Sequence, residues 1–166
     1  MPYRLYLIRH GLAEERGAAW PDDTQRPLTS VGAARVKKGA RALARIGVEI
    51  DLVLTSPLAR TRQTAEGVAD AFEPRPPIVA IESLAPQGSV QAVLGDLEKH
   101  ARRSSIAMVG HEPGIGELAA RLAGLRHALE FKKGAVARFD VEVLPLDGPA
   151  TLRWFLSPRI LRSLKR

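Results

Sequence analysis

Apolar positions along the chain fall into short strand-like runs separated by stretches of helical period. Tyr3 to Ile8 alternates and carries apolar residues on both faces, the pattern of a short buried strand. It runs directly into Arg9-His10-Gly11. Residues 12–28 are polar and include Gly17, Pro21 and Pro27, which predicts a loop. Thr29 or Ser30 then caps a helix over about 30–46, ended near Gly47, with Val31, Ala34, Val36, Ala40, Leu43 and Ala44 on a broad apolar face. Ile50 to Thr55 is apolar and β-branched, a second strand. Ser56-Pro57 opens a helix over about 58–72, since proline suits a first helical turn where its missing donor is not needed. Pro74, Pro76 and Pro77 break the chain before a short third strand, Ile78 to Ile81. Residues 89–101 are helical, with Val90, Val93, Leu94 and Leu97 facing inward. Ser105 to Val109 forms a fourth strand ending at Gly110-His111, and 114–123 another helix. Gly134 to Val143 alternates as a strand, and Thr151 to Leu156 is the last one.

Strands alternating with helices predict an α/β fold: a single domain with a mostly parallel central sheet and helices on both faces. The domain takes residues 1–158, and 159–166 form a basic C-terminal tail. In such sheets ligands bind beyond the carboxyl ends of the strands. His10 follows the first strand, Ser56 to Arg60 the second and His111 the fourth, so three polar constellations fall at one edge of the sheet.

Composition narrows the function classes. A length of 166 residues fits one domain, since domains usually run about 100–200 residues. A hydrophobic content of 45% with 26% charged residues excludes disordered and low-complexity architectures. The lack of cysteine excludes disulfides, thiolate zinc sites and a thiol nucleophile. No apolar run approaches the roughly 20 residues of a membrane span. The start, Met1-Pro2-Tyr3-Arg4-Leu5, lacks the apolar core of a secretory signal, so the expected address is cytoplasmic with no membrane partner. The net charge is +7, and Arg159, Arg162, Lys165 and Arg166 contribute four of those charges. Such a tail reads as solvated surface. No aromatics interleave with the basic residues, so a nucleic-acid partner is not expected. Walker-type, Gly-x-Gly-x-x-Gly and Gly-x-Ser-x-Gly sequences are absent. His111-Glu112 begins like a zinc-protease motif, but Pro113 follows and no second histidine comes at the needed spacing. His100 and His127 are isolated and read as solvated or packing residues.

The sheet-edge residues suit phosphoryl chemistry. A neutral imidazole is a competent nucleophile, and covalent catalysis splits one hard transfer into two easier steps. At Arg9-His10-Gly11 the guanidinium would stabilise phosphoryl oxygens and keep the imidazole unprotonated, while Gly11 lets the backbone approach closely. The plainer alternative is a strand-end histidine bonded to backbone. Arg60 lies in the first turns of its helix, where free N–H groups also favour an anion. Gly110-His111-Glu112-Pro113-Gly114 repeats the order strand, glycine, histidine, helix start. His111 could donate to a phosphoryl oxygen, or it could cap or pack.

These residues resemble the histidine phosphatase superfamily, which also holds the phosphoglycerate mutases. The likeness rests on Arg-His-Gly at 9–11, Ser-Pro-x-x-Arg-x-x-Gln-Thr at 56–64 and Gly-His-x-Pro at 110–113. The short length, Arg26-Pro27-Leu28-Thr29, Leu84-Ala85-Pro86 and Trp154-Phe155-Leu156-Ser157-Pro158 look like its SixA branch of phosphohistidine phosphatases. The resemblance implies a phosphoglycerate mutase-like fold and a hydrolase working by two-step phosphoryl transfer. It makes His10 the nucleophile, with Arg9, Arg60 and His111 binding the phosphoryl oxygens and Gly11 against the substrate. Arg26 either approaches the same pocket or pairs with Asp22 or Asp23 on the surface. Thr64 orients the Arg60 helix rather than touching substrate. The implied partners are a phosphohistidine-bearing protein and a phosphate or other oxyanion in the pocket. No metal or cofactor is implied, and a monomer is expected.

The chain departs from the family pattern at the acid. Many members carry a carboxylic acid that protonates the leaving oxygen; here Leu12 follows Arg-His-Gly where several have an acidic residue. Glu82, Glu14 and Glu15 are the nearest candidates, with Glu82 the possible acid. An imidazole leaving group can carry its own proton at neutral pH, whereas an alkoxide needs one delivered, a contribution of about 10²–10⁴-fold. A missing acid therefore favours P–N over P–O substrates. The segments 12–28 and 73–88 are too short for a deep lid, and a shallow pocket suits a phosphorylated side chain on a protein surface. The alternatives are a small-molecule phosphomonoesterase, which wants a carboxylate beside the leaving group, and a phosphoprotein-binding module, which would need only the arginines. Nucleic-acid binding through the tail would show steep salt dependence.

Overall fold

In the computed structural model, which describes residues 2–165, the alternating run near the N-terminus forms β1 (Tyr3–Arg9). The other strands are β2 (Leu52–Thr55), β3 (Ile78–Ala80), β4 (Ser105–Gly110), β5 (Val136–Val141) and β6 (Thr151–Leu156). They join in one six-stranded sheet in the order β3-β2-β4-β1-β5-β6. β3, β2, β4 and β1 run parallel. β5 is antiparallel to β1, and β6 to β5. The helices are α1 (Ser30–Arg45), α2 (Ala59–Ala69), α3 (Val90–Glu98), α4 (Gly114–Ala123) and α5 (Pro158–Ser163). The result is the expected single α/β domain with a mostly parallel sheet covered on both faces.

The alternation along β1 divides the core in two. Leu5 and Leu7 face one cluster with Leu97, Ile115, Leu118 and Phe131, under α3 and α4. Tyr6 and Ile8 face the other with Leu43, Ala65, Val68 and Leu161, under α1, α2 and α5. A strand buried on both faces has its register held from both sides, because a one-residue slip would exchange the two sets.

Local signals place most boundaries, and the differences have physical causes. Thr29 caps α1, its Oγ1 accepting from Gly32 N–H at 2.9 Å. Gly32 also lets α1 lie against the loop after His10: a Cβ there would collide with the Leu12 carbonyl. β2 begins at Leu52 rather than Ile50, because the Asp51 carboxylate accepts from Ser104 N–H and Ser105 N–H at 3.1 and 3.3 Å. α2 begins at Ala59 with Leu58 at its N-cap, so Pro57 stands outside the helix instead of in its first turn. The last strand pair starts at Val136, because Gly134 turns the chain with φ +87° and donates to the Arg9 and His10 carbonyls at 3.1 and 3.0 Å. The polar loop 12–28 holds a 3-10 turn (Asp23–Gln25) and a bridge between Ala13 and Leu28.

The segment expected as a basic tail differs most. The boundary at 158/159 falls inside α5, which Ser157 caps by accepting from Ile160 N–H at 3.3 Å. Leu161 is 3% exposed and packs against α1. Arg159 and Arg162 thus decorate a docked helix.

Leu161→Ala should lower unfolding stability by about 2–5 kcal/mol, the usual cost of truncating a buried leucine. Arg159→Ala, on the exposed side, should leave it nearly unchanged. Urea unfolding of the two variants checks this; equal stabilities would mean α5 is not docked.

Candidate active site

The parallel pairing of β1 with β4 sets Arg9 opposite Gly110, and His10 N–H donates to the Gly110 carbonyl at 3.1 Å. The residue after each strand end is a histidine. The rings of His10 and His111 come to a centroid separation of 5.2 Å, tilted by 59°. Both side chains are buried.

His10 Nδ1 lies 2.7 Å from the Gly11 carbonyl oxygen. A carbonyl can only accept, so Nδ1 carries the proton and the Nε2 lone pair is left free. His111 Nε2 lies 2.8 Å from Ser56 Oγ, which itself accepts from Leu58 N–H at 3.2 Å. Burial pushes the His10 pKa down to about 4, helped by Arg60, Arg9 and Lys133, while the Gly11 carbonyl pulls the other way. Burial, then His10 and Arg60, pushes His111 down to about 3. Both imidazoles are neutral at pH 7.

The arginines are held by one edge each. Arg9 Nη1 donates to the Phe131 carbonyl at 2.7 Å. Arg60, 2% exposed, donates from Nη1 to the Asp23 carbonyl at 2.9 Å and from Nη2 to Asp23 Oδ2 at 3.1 Å. The Nε atoms of Arg9 and Arg60 are buried without a hydrogen-bond partner among the described residues. Unsatisfied buried donors are costly, and an oxyanion is the ligand that would satisfy two cationic ones together.

Arg26 is buried, not a surface residue, yet it does pair with Asp23: its Nε donates to Oδ1 at 2.8 Å. Its Nη1 donates to the Glu14 carbonyl at 2.7 Å. Asp23 therefore ties Arg26 to Arg60. The hydrogen bond from Arg26, with the charges of Arg60, Arg26 and Arg16, holds the Asp23 carboxyl below the usual range, so it is ionised at neutral pH. Gly11 N–H donates to Thr64 Oγ1 at 3.1 Å, and the Thr64 hydroxyl donates to the Arg60 carbonyl at 2.8 Å. Thr64 thus links the loop after His10 to α2. Glu82 opens the 3-10 turn Glu82–Leu84 after β3 and is exposed. No hydrogen bond or ion pair ties it to the cluster among the described residues. Glu14 enters through its backbone alone, and Glu15 is exposed.

Sequence reasoning singled out neither Ser56 as the partner of His111, nor Asp23 as a clamp on Arg60, nor Glu112. The Glu112 carboxylate accepts from Gly116 N–H at 2.7 Å and Phe131 N–H at 3.4 Å, fixing the start of α4 and the segment that holds Arg9. Lys133, whose charge reaches His10, was equally unsignalled. Among the described residues no three His, Asp or Glu side chains gather so as to hold a metal ion. No helix is long and apolar enough to cross a membrane among the residues described.

A family model described as the histidine phosphatase superfamily (branch 1) matches residues 5–85. Phosphohistidine phosphatase SixA of Escherichia coli (strain K12) is 30% identical over 164 residues, 98% of this chain and 98% of its own. The chain belongs to the histidine phosphatase superfamily. Within the superfamily it falls in the SixA-type branch. An uncharacterized protein of Picosynechococcus sp. is 41% identical over 168 residues, 92% of this chain and 98% of its own. The solved structure of the protein histidine phosphatase SixA complexed with tungstate superposes with a TM-score of 0.83 at 30% identity, covering 94% of this chain and 97% of that one. The phosphoglycerate mutase-like fold is thereby shared, and the superfamily together with the SixA homology makes the chain a phosphatase.

Two predictions follow from the electrostatics of this histidine phosphatase site. Between about pH 6.5 and pH 4 an unfolded chain protonates both imidazoles while the native one does not, so the unfolded state binds more protons and stability falls as pH drops. The loss should be on the order of 2 kcal/mol per histidine by about pH 4.5. Urea unfolding across that range should show a shallower fall for His111→Gln than for the wild type. Separately, Asp23→Asn removes the charge that holds one edge of Arg60. Phosphatase kcat/KM should drop by about 10–100-fold, the scale of a loosened charged hydrogen bond. Unchanged kinetics would remove Asp23 from the site.

Proposed function

We propose that the chain is a phosphohistidine phosphatase that acts on a phosphohistidine-bearing protein through a covalent phospho-His10 intermediate. The observation that carries this reading is the hydrogen bond from His10 Nδ1 to the Gly11 carbonyl, which leaves Nε2 as a neutral nucleophile. Nε2 attacks phosphorus in line, and the bond from phosphorus to the donor nitrogen breaks. The donor imidazole departs neutral when its other nitrogen carries a proton. His10 then bears phosphorus on Nε2 and a proton on Nδ1, a cationic ring whose N–P bond water hydrolyses. Arg9 and Arg60 neutralise the equatorial oxygens in both steps through their unpartnered Nε–H groups. His111 donates from Nδ1 if Ser56 Oγ–H donates to its Nε2, a tautomer that the 2.8 Å contact permits. The guanidinium charges take the part a metal would play, so the step as drawn needs none.

The leaving group argues for the substrate. The carboxylate built into the cluster is Asp23, and it is ionised and committed to two arginines. It has no proton to deliver to an alkoxide. A P–N substrate does not require one, and the name of the Escherichia coli relative points the same way. A small-molecule phosphomonoesterase would need Glu82 brought to the leaving oxygen, and its exposed position offers no support for that.

The test compares a protein phosphorylated on histidine with an alkyl phosphomonoester, using wild type and His10→Ala. The phosphohistidine protein should be hydrolysed with a clear preference, and His10→Ala should lose turnover while keeping its melting temperature. Removing the Arg60 guanidinium should cost about 3–4 kcal/mol of barrier, as loss of one oxyanion donor does elsewhere. Comparable rates on the ester would shift the reading to the small-molecule enzyme, and an active His10→Ala would end the covalent mechanism.

A further inference from the structure

Between α1 and α5, behind the loop that follows His10, lies an open-sided pocket of about 170 Å³. Its floor is apolar, built from Ile8, Ala40, Leu43, Val68, Val136 and Leu161. Its inner wall is Gly11 and Thr64, and the Thr64 hydroxyl is already engaged with Gly11 N–H and the Arg60 carbonyl. The charged side chains on the lining are all cationic: Arg35, Lys133, Arg159 and Arg162. Among the described residues, no acidic side chain lines the pocket. Among the described residues, none of these four is in an ion pair. An apolar floor under an unpaired cationic rim is complementary to one kind of ligand, an anion with a short apolar body. Size sets the body: a volume of about 150 Å³ accommodates benzene, so this pocket has room for one ring or about six carbons.

We propose that this pocket binds a small amphipathic carboxylate, with its alkyl or aryl tail on Leu43, Val68 and Leu161 and its carboxylate on the arginine rim. The site is separate from the His10–His111 cluster and does not depend on the phosphatase reading. It shares the Gly11–Thr64 wall, Lys133 and Gly134 with that cluster's support.

Calorimetric titration of the full chain with straight-chain carboxylates from butyrate to decanoate tests this, with phenylacetate, acetate and hexanol beside them. Affinity should rise about fourfold per added methylene, the gain from burying one, and level off near six tail carbons. Phenylacetate should bind, acetate should not, and hexanol should bind at least about tenfold more weakly than the carboxylate of matching length. The double variant Arg35→Glu, Arg162→Glu should weaken carboxylate binding by at least about tenfold with an unchanged melting temperature. Ala40→Leu should fill the floor and abolish binding; should it fail to fold, the rim variant still decides. Hydrogen exchange should show protection at residues 8–12 and 158–162 on binding. No binding, an affinity indifferent to chain length, equal binding of hexanol, full affinity in the rim variant, or protection elsewhere would each overturn the proposal.

Discussion

Everything at the sheet edge depends on the register of β4 against its two parallel neighbours. Arg9 lies opposite Gly110 and Thr55 opposite Val109. One residue further on, the chain delivers His10, His111 and Ser56 side by side. Their backbones are stitched by His10 N–H to Gly110 O and by Ser56 N–H to Val109 O, both at 3.1 Å. Side chains alternate along a strand, so a slip of one residue would send His111 to the opposite face and break its contact with Ser56. The active geometry is thus a consequence of core packing. Leu5 and Leu7 fit one side of the sheet, Tyr6 and Ile8 the other, and that fit holds the three strand ends level.

The register also creates an electrostatic problem, because it gathers the buried Arg60 and the half-buried Arg9 around two buried imidazoles. Burying a charge without partners is expensive. The histidines respond by staying neutral. The arginines cannot, and each is anchored along one edge only, Arg9 by the Phe131 carbonyl and Arg60 by Asp23. Asp23 is 45% exposed at its side chain, so solvent screens it and it only partly offsets the Arg60 charge. The remaining positive potential and the two unpartnered Nε–H groups are fixed before any ligand arrives. That is the arrangement in which donors stabilise a developing anion with little reorganisation.

How much of this was legible in the sequence follows from how local each signal is. The strand ends at Arg9, Thr55 and Gly110 could be read because each is a short apolar run meeting a polar motif, and the rule for open α/β sheets then collects them. The clamp of Asp23 on Arg60 could not, because the two are 37 residues apart, with α1 and β2 between them, and the loop that carries Asp23 has no period to project. Arg26 was open between two readings for the same reason; its burial shows only once Asp23 is seen to bridge it to Arg60. The docked α5 was hidden by its charge. Arg159, Arg162 and Lys165 read as solvated tail, and a six-residue helix with one buried side chain, Leu161, is too short for periodicity to register.

The loop over 12–28 shows why a short enclosure suffices. It is pinned at both ends: Thr29 N–H donates to the Leu12 carbonyl at 3.0 Å, and Glu14 N–H to the Pro27 carbonyl at 2.9 Å. Gln63 of α2 accepts from Leu28 N–H at 2.7 Å. With the stem closed, the remainder delivers Asp23 to the Arg26 and Arg60 guanidiniums instead of roofing the pocket. Discrimination on the proposed reading then has to come from the leaving group, because there is little enclosure to read the rest of a small molecule. A protein-borne phosphohistidine meets that condition from both directions. It brings its own surface to exclude water, and its imidazole brings the proton that the ionised Asp23 does not supply.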